Sequence, residues 1–234
     1  MHHFRTADSR RFVNAALTIG VAFLVFGASF GVLAVGAGAS VAQATVMSLL
    51  VFTGASQMSV VSVIASGGSA IGAFGGAVLL AGRNAIYGLA LAPLLREGRL
   101  GSRLVGAQWV IDETTALVSA ESDPGLRRTA FWCSAPILYA CWSLGTLLGA
   151  VVGSSIDPAD FGLDAAFPVM FVAMVAPHLR TRAGRRAALF GAVTTVLLAP
   201  VLPVGLPILV ASLGMLFGLS PDASTTPDVT EGMP

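Results

Sequence analysis

The chain has 234 residues, 55% of them hydrophobic, with a mean hydropathy of +0.83 and only 11% charged. A soluble domain carries about 25% charged residues, so a soluble fold this poor in charge could not cover its own surface. Composition therefore excludes soluble enzymes and disordered chains, and a net charge of +1 gives no field that would draw nucleic acid.

What remains is an all-α, polytopic helical membrane protein. Residues 12–82 contain no Asp, Glu, Lys, Arg or His. As a single helix they would run roughly 106 Å against a hydrocarbon core of about 30 Å, so the chain must fold back two or three times. Blocks of alternating polar and apolar residues, the mark of a membrane β-barrel, are absent. The basic residues are all Arg, 13 of them.

Turn residues divide the apolar mass into about seven hydrophobic segments. Residues 1–11, with Arg5, Arg10 and Arg11, read as a cytoplasmic basic N-terminus. Segment one (12–36) is followed by Ala37-Gly38-Ala39, which looks like a cleavage site, but the run exceeds the usual signal h-region of about 7–15 residues and reads as a retained helix. Segment two (41–65) ends at Ser66-Gly67-Gly68-Ser69, and segment three (70–95) at a basic stretch, 96–103. Segment four (104–120) is short and carries Asp112 and Glu113. Asp123-Pro124-Gly125 precedes segment five (129–153), and segment six (165–179) is interrupted by Pro168 and Pro177. A basic loop with Arg180, Arg182, Arg185 and Arg186 leads to a last run, 187–219, broken by Pro200, Pro203 and Pro207. Residues 12–220 read as a single transmembrane domain and 221–234 as a disordered acidic tail.

Gly27…Gly31 before Phe52 is echoed by Gly145…Gly149 before Phe171, a weak internal repeat of the kind secondary transporters carry. The three basic clusters (5–11, 96–103, 180–186) should share the cytoplasmic side. Three full crossings by segments one to three would put 96–103 outside. A re-entrant segment two, turning near Phe52 to Gln57, removes the conflict, and a similar segment six would invert the second half relative to the first. The alternative is a segment four that does not cross.

Arg83 is the strongest single signal. It lies near the centre of segment three beside Asn84, with Tyr87 one turn on. An Arg at the bilayer centre costs at least about 2.5–3.5 kcal/mol, so it should face a cavity or an acid, and it could bind a carboxylate bidentately. Asp112 or Glu113 could be that acid, and the other could hold an ammonium group or carry a proton. Thr53, Gly54, Ser56 and Gln57 place donors and acceptors at the midpoint of segment two, where apolar residues would suffice. The competing readings are structural: an ion pair, an interfacial helix with solvated acids, and small-residue helix packing. His178 reads as interfacial, and Cys133 and Cys141 as small packing residues about 12 Å apart on one helix, too far for a disulfide. No metal-ligand spacing, phosphate loop or nucleophile elbow appears, so neither metal nor cofactor is expected.

These residues carry a resemblance. Gly27 to Ala34, Met47 to Gln57, Arg83 to Pro93 and the pair Asp112-Glu113 resemble the AzlC family, the large subunits of branched-chain amino acid exporters, over about residues 15 to 200. Two positions depart from many relatives: Ala81 stands where Asn is common, and Ile111 where Thr is common. The resemblance implies a multi-pass inner-membrane permease that exports hydrophobic amino acids with a small hydrophobic AzlD-type partner subunit. On this reading Arg83 takes the substrate carboxylate, Asn84, Thr53, Gly54, Ser56, Gln57 and Tyr87 line the site, and Asp112 or Glu113 couples a proton. The alternatives are a channel or transporter for another small solute, with Arg83 as a selectivity residue, and an intramembrane enzyme built on the two acids.

Overall fold

The computed structural model describes residues 2–96, 98–155, 172, 175, 176, 178–202, 206–211, 213 and 214. Among these, every regular element is a helix. The chain divides into two compact units, Met1–Phe167 and Pro168–Pro234. Most of segment six, with Pro168, Phe171 and Pro177, and the tail after Pro221 lie outside the described residues.

The first unit holds α1 (His2–Gly36), α2 (Val41–Leu50), α3 (Gly54–Ala65), α4 (Ala70–Leu95), α5 (Leu100–Gln108), α6 (Asp112–Ser119) and α7 (Pro124–Gly153). Three of them are long and apolar enough to cross a membrane: Asp8–Gly36, Ala70–Leu95 and Pro124–Gly153. No Gly or Pro separates the basic N-terminal stretch from segment one, and α1 accordingly runs unbroken from His2. Caps fall where the turn residues predict. Ser40 and Gln43 form a reciprocal capping box at α2, Ser69 Oγ accepts from Gly72 N (3.1 Å) at α4, and Asp123 Oδ1 accepts from Leu126 N (2.9 Å) at α7. Gly38 (φ 95°) and Gly67 (φ 75°) supply the left-handed residues of the two loops around segment two.

The glycine echo has a structural counterpart: the two motifs pack against each other. A Cβ on Gly27 would strike the Trp142 carbonyl, and one on Gly145 the Leu24 carbonyl. One on Gly149 would strike the Ala28 carbonyl, and one on Gly153 would lie 2.8 Å from Val32 Cα. Backbone thus meets backbone, as small residues permit in membrane helix pairs. Contact positions rise together (Gly20 with Cys141, Leu24 with Gly145, Ala28 with Gly149, Val32 with Gly153), so α1 and α7 run the same way.

A buried cluster of Phe12, Leu91, Val110, Val118, Ala130 and Phe131 gathers the start of α1, the end of α4, both sides of the α5–α6 junction and the start of α7. At that end Arg11 Nη2 donates to Glu121 Oε1 at 2.6 Å. This fixes the paths of the broken segments. Leu91 sits at the Phe12 end, so Ala70 lies about 31 Å away along α4, near the far end where α1 finishes. The chain leaves that end at Val41, breaks at Val51-Phe52-Thr53, and returns to it at Ser66. Segment two is therefore re-entrant. Segment four does not cross either. α5 starts beside the end of α4, with Gly106 against Leu95 and Trp132, breaks at Trp109-Val110-Ile111, and returns through Val118 to the Phe12 end. A long helix followed by a broken hairpin thus occurs twice, α1 with α2–α3 and α4 with α5–α6, from opposite ends. The inverted relation lies between these two pairs, whereas the Gly-bearing helices α1 and α7 are parallel.

The second unit holds a 3-10 turn (His178–Arg180), α8 (Arg182–Leu198) and α9 (Leu206–Ala211). Thr181 Oγ1 accepts from Gly184 N (3.0 Å), so the basic loop is the capped start of α8.

Candidate functional site: two helix breaks and an ion pair

A helix break at membrane depth leaves carbonyls and amides that must find partners. At the α2 end the partners are side chains from other elements. Gln108 Nε2 donates to Leu50 O at 2.7 Å, and Tyr139 Oη donates to Leu49 O at 2.8 Å. Ser48 Oγ donates to Thr146 Oγ1 at 3.0 Å, both fully buried, and fastens α2 to α7. The α6 start is handled locally: Thr114 Oγ1 accepts from Ile111 N (3.0 Å) and lies 3.0 Å from Trp109 O. Asp112 and Glu113 occupy the first turn of α6, where the helix dipole favours acids.

The α3 start is different, because its polar side chains have no partners among the described residues. Ser56 Oγ, both amide atoms of Gln57 and Thr53 Oγ1 are buried and make no hydrogen bond. Gln57 is 0% exposed and Ser56 2%. A buried polar group without a partner costs on the order of 1–3 kcal/mol, so several together at one break mark a surface shaped for something other than apolar packing. Asn84 Oδ1 is buried and unpartnered as well. Gly76 packs against Ser59 across the α3–α4 hairpin, and seven or eight residues further along each arm the same register brings Arg83 and Asn84 level with the α2–α3 break.

Arg83 Nη1 lies 3.2 Å from Asp112 Oδ2, with about a third of each side chain accessible. Glu113 is next in sequence and makes no ion pair among the described residues. The pair joins the middle of α4 to the tip of the α5–α6 hairpin, while Gln108 joins that tip to the α2–α3 break. Of the residues singled out from sequence, Thr53, Gly54, Ser56 and Gln57 meet at one break, and Arg83 joins Asp112 at the other. Tyr87, one turn along α4 from Arg83, packs partly buried against the Phe12–Leu91 cluster.

Sequence reasoning missed Trp142, Tyr139 and Gln108. Trp142 packs on the break, where a Cβ on Gly54 would lie 3.0 Å from its Cη2, and its buried Nε1 has no partner. Ring contacts run Phe30–Trp142–Phe23–Phe52–Tyr139–Trp109–Trp132, linking the two breaks through an aromatic wall. In a sequence such rings read as packing, and only the Tyr hydroxyl and the indole N–H hint at more. A separate cavity of about 290 Å³, lined by Ala90, Pro93, Leu94, Pro124, Arg127 and Arg128, lies at the Phe12 end, away from both breaks.

Three long apolar helices, two broken segments entering from opposite ends and a charged pair at the level of the breaks define a polytopic helical membrane protein with an internal polar site. Residues 18–156 match the family described as AzlC protein, and the chain belongs to that family. Two relatives, each named an uncharacterized membrane protein, come from Helicobacter pylori. The protein of strain J99 is 25% identical over 85% of this chain and 88% of its own length, and that of strain 26695 is 24% identical over 84% and 86%. No solved structure matches the chain.

Proposed function

We propose that this protein is a permease that exports branched-chain or similar hydrophobic amino acids across the inner membrane. Its export is coupled to protons, and it works as the large subunit beside a small AzlD-type hydrophobic subunit. The observation that carries the reading is the Arg83–Asp112 pair, level with a helix break whose buried polar groups have no partners among the described residues. A zwitterion with an apolar side chain needs such a site: fixed dipoles and charges for its head, aromatic and aliphatic walls for the rest. Glu113, beside the paired acid, is the proton carrier.

The test is uptake of labelled leucine, valine and phenylalanine into inside-out vesicles containing this chain and its small neighbour, with and without a proton gradient. Arg83→Leu should reach normal membrane levels, since it lowers the cost of insertion, and lose uptake. Arg83→Lys should retain little uptake, because Lys lacks the rigid guanidinium that holds Asp112 in place. Full uptake by Arg83→Leu removes Arg83 from the site.

A further inference from the structure

We infer that the substrate carboxylate is received at the N-terminus of α3, with the indole N–H of Trp142 as an additional ligand, rather than by Arg83. This deepens the transport reading and rests on it.

Arg83 is already occupied, its Nη1 3.2 Å from Asp112 Oδ2. The start of α3 offers the opposite situation. α3 has 12 residues, and its first turn carries amides that the preceding chain does not satisfy: Ser56 N donates to Thr53 O (2.7 Å), whereas Gly54 N and Ala55 N donate to nothing among the described residues. Thr53 stands at the N-cap without making the capping bond that a Thr there normally makes. The unpartnered side chains supply further donors: the Ser56 hydroxyl, the Gln57 amide and the Trp142 indole N–H. All three residues are more than nine-tenths buried. The Gln57 carbonyl and the Thr53 and Ser56 hydroxyls can also accept, and the helix dipole, about half a positive charge at this end, tips the balance toward an anion. The site therefore suits an anion of carboxylate size. The Gly54 backbone lies against the Trp142 ring, and a Cβ there would lie 3.0 Å from its Cη2, so the ring would have to give by a few tenths of an ångström. No cation of this chain is needed to hold the ligand, so the Arg83–Asp112 pair can stay closed while substrate is bound.

The test is a thermal-shift titration of the purified full-length chain in detergent with L-leucine and L-leucinamide, which differ by replacement of the carboxylate with a neutral amide. The wild type should bind leucine about tenfold or more tightly than leucinamide, the size expected from hydrogen bonds to a charged group. Trp142→Phe keeps the ring and removes the N–H. Gln57→Glu is nearly isosteric and sets a carboxylate against the ligand's own. Both should weaken leucine and leave leucinamide within about twofold, erasing the preference, while Arg83→Lys should keep it. The subsite is wrong if the wild type binds the two ligands equally, or if Trp142→Phe and Gln57→Glu weaken both alike while Arg83→Lys alone erases the preference. If the wild type binds neither ligand in vesicles or detergent, the amino-acid reading itself fails.

Discussion

At the scale of single residues, the two adjacent acids divide their work by geometry. Asp112 faces Arg83 across 3.2 Å, and Glu113, the next residue along α6, makes no ion pair of its own among the described residues. Asp112→Asn strips Arg83 of its counter-charge where desolvation makes an isolated charge expensive, and should impair both driven export and passive exchange of substrate. Glu113→Gln keeps size and polarity but removes the proton site. It should abolish accumulation against a gradient while exchange of labelled for unlabelled leucine continues. Counterflow and gradient-driven uptake, measured on the same vesicles, separate the two. Normal driven uptake by both variants would return the acids to an interfacial, solvated role. The sequence made this pairing legible because charges are rare in a long apolar run, so each has few partners to choose from. It could not show which acid is taken, because that depends on the α5–α6 turn angle. Nor could it show Trp142, whose N–H is ordinary in a membrane helix and becomes informative only when packing denies it a partner.

At the scale of elements, the breaks and the glycine contacts hold the site in place. The α2–α3 break was legible near Phe52 to Gln57 because small polar residues sit at the centre of an apolar segment, and the structure puts its extended part at Val51 to Thr53. The break at Trp109 to Ile111 contains neither Gly nor Pro. Its signal was Asp112-Glu113-Thr114-Thr115, two acids and a capping hydroxyl, which mark a helix start as well as they mark a functional site. The parallel packing of α1 on α7 yields a prediction that contrasts two kinds of glycine. Gly149→Ala places a methyl on the Ala28 carbonyl, with backbone on both sides and no flexible end to yield. It should cost about 1–3 kcal/mol and lower the melting temperature in detergent by several degrees. Gly88→Ala meets nothing within 4 Å and should leave the melting temperature unchanged. Equal effects from the two would mean that the helices do not touch through Gly149. Gln108→Leu tests the link between the breaks: it frees the Leu50 carbonyl and should destabilise the chain by about 1–3 kcal/mol, whereas Gln108→Asn tests only reach.

At the scale of the whole molecule, the topology follows from where the hairpins begin and end. The conflict among the basic clusters 5–11 and 96–103 disappears in the first unit without any appeal to loop charge: α1 crosses away from the Phe12 end, α2–α3 dips in and returns, and α4 crosses back, so both clusters share one side. The positive-inside rule predicts that this side is the cytoplasmic one. The same geometry puts residues 40, 66 and 154 on one side and residues 102 and 122 on the other. Single cysteines at Ser40, Ser66, Ser102, Ser122 and Ser154, in a background lacking Cys133 and Cys141, can be labelled in intact cells with a thiol reagent that does not cross the membrane. Cysteines replacing Ser40, Ser66 and Ser154 should react from outside, and those replacing Ser102 and Ser122 only after the membrane is opened. Labelling at Ser102 from outside, with Ser66 protected, would mean that segment two crosses if Ser40 is labelled as well, and that the whole chain is inverted if Ser40 is protected. Labelling at Ser122 but not at Ser102 would mean that segment four crosses after all, which would part Glu121 from Arg11 and Val118 from the Phe12 cluster.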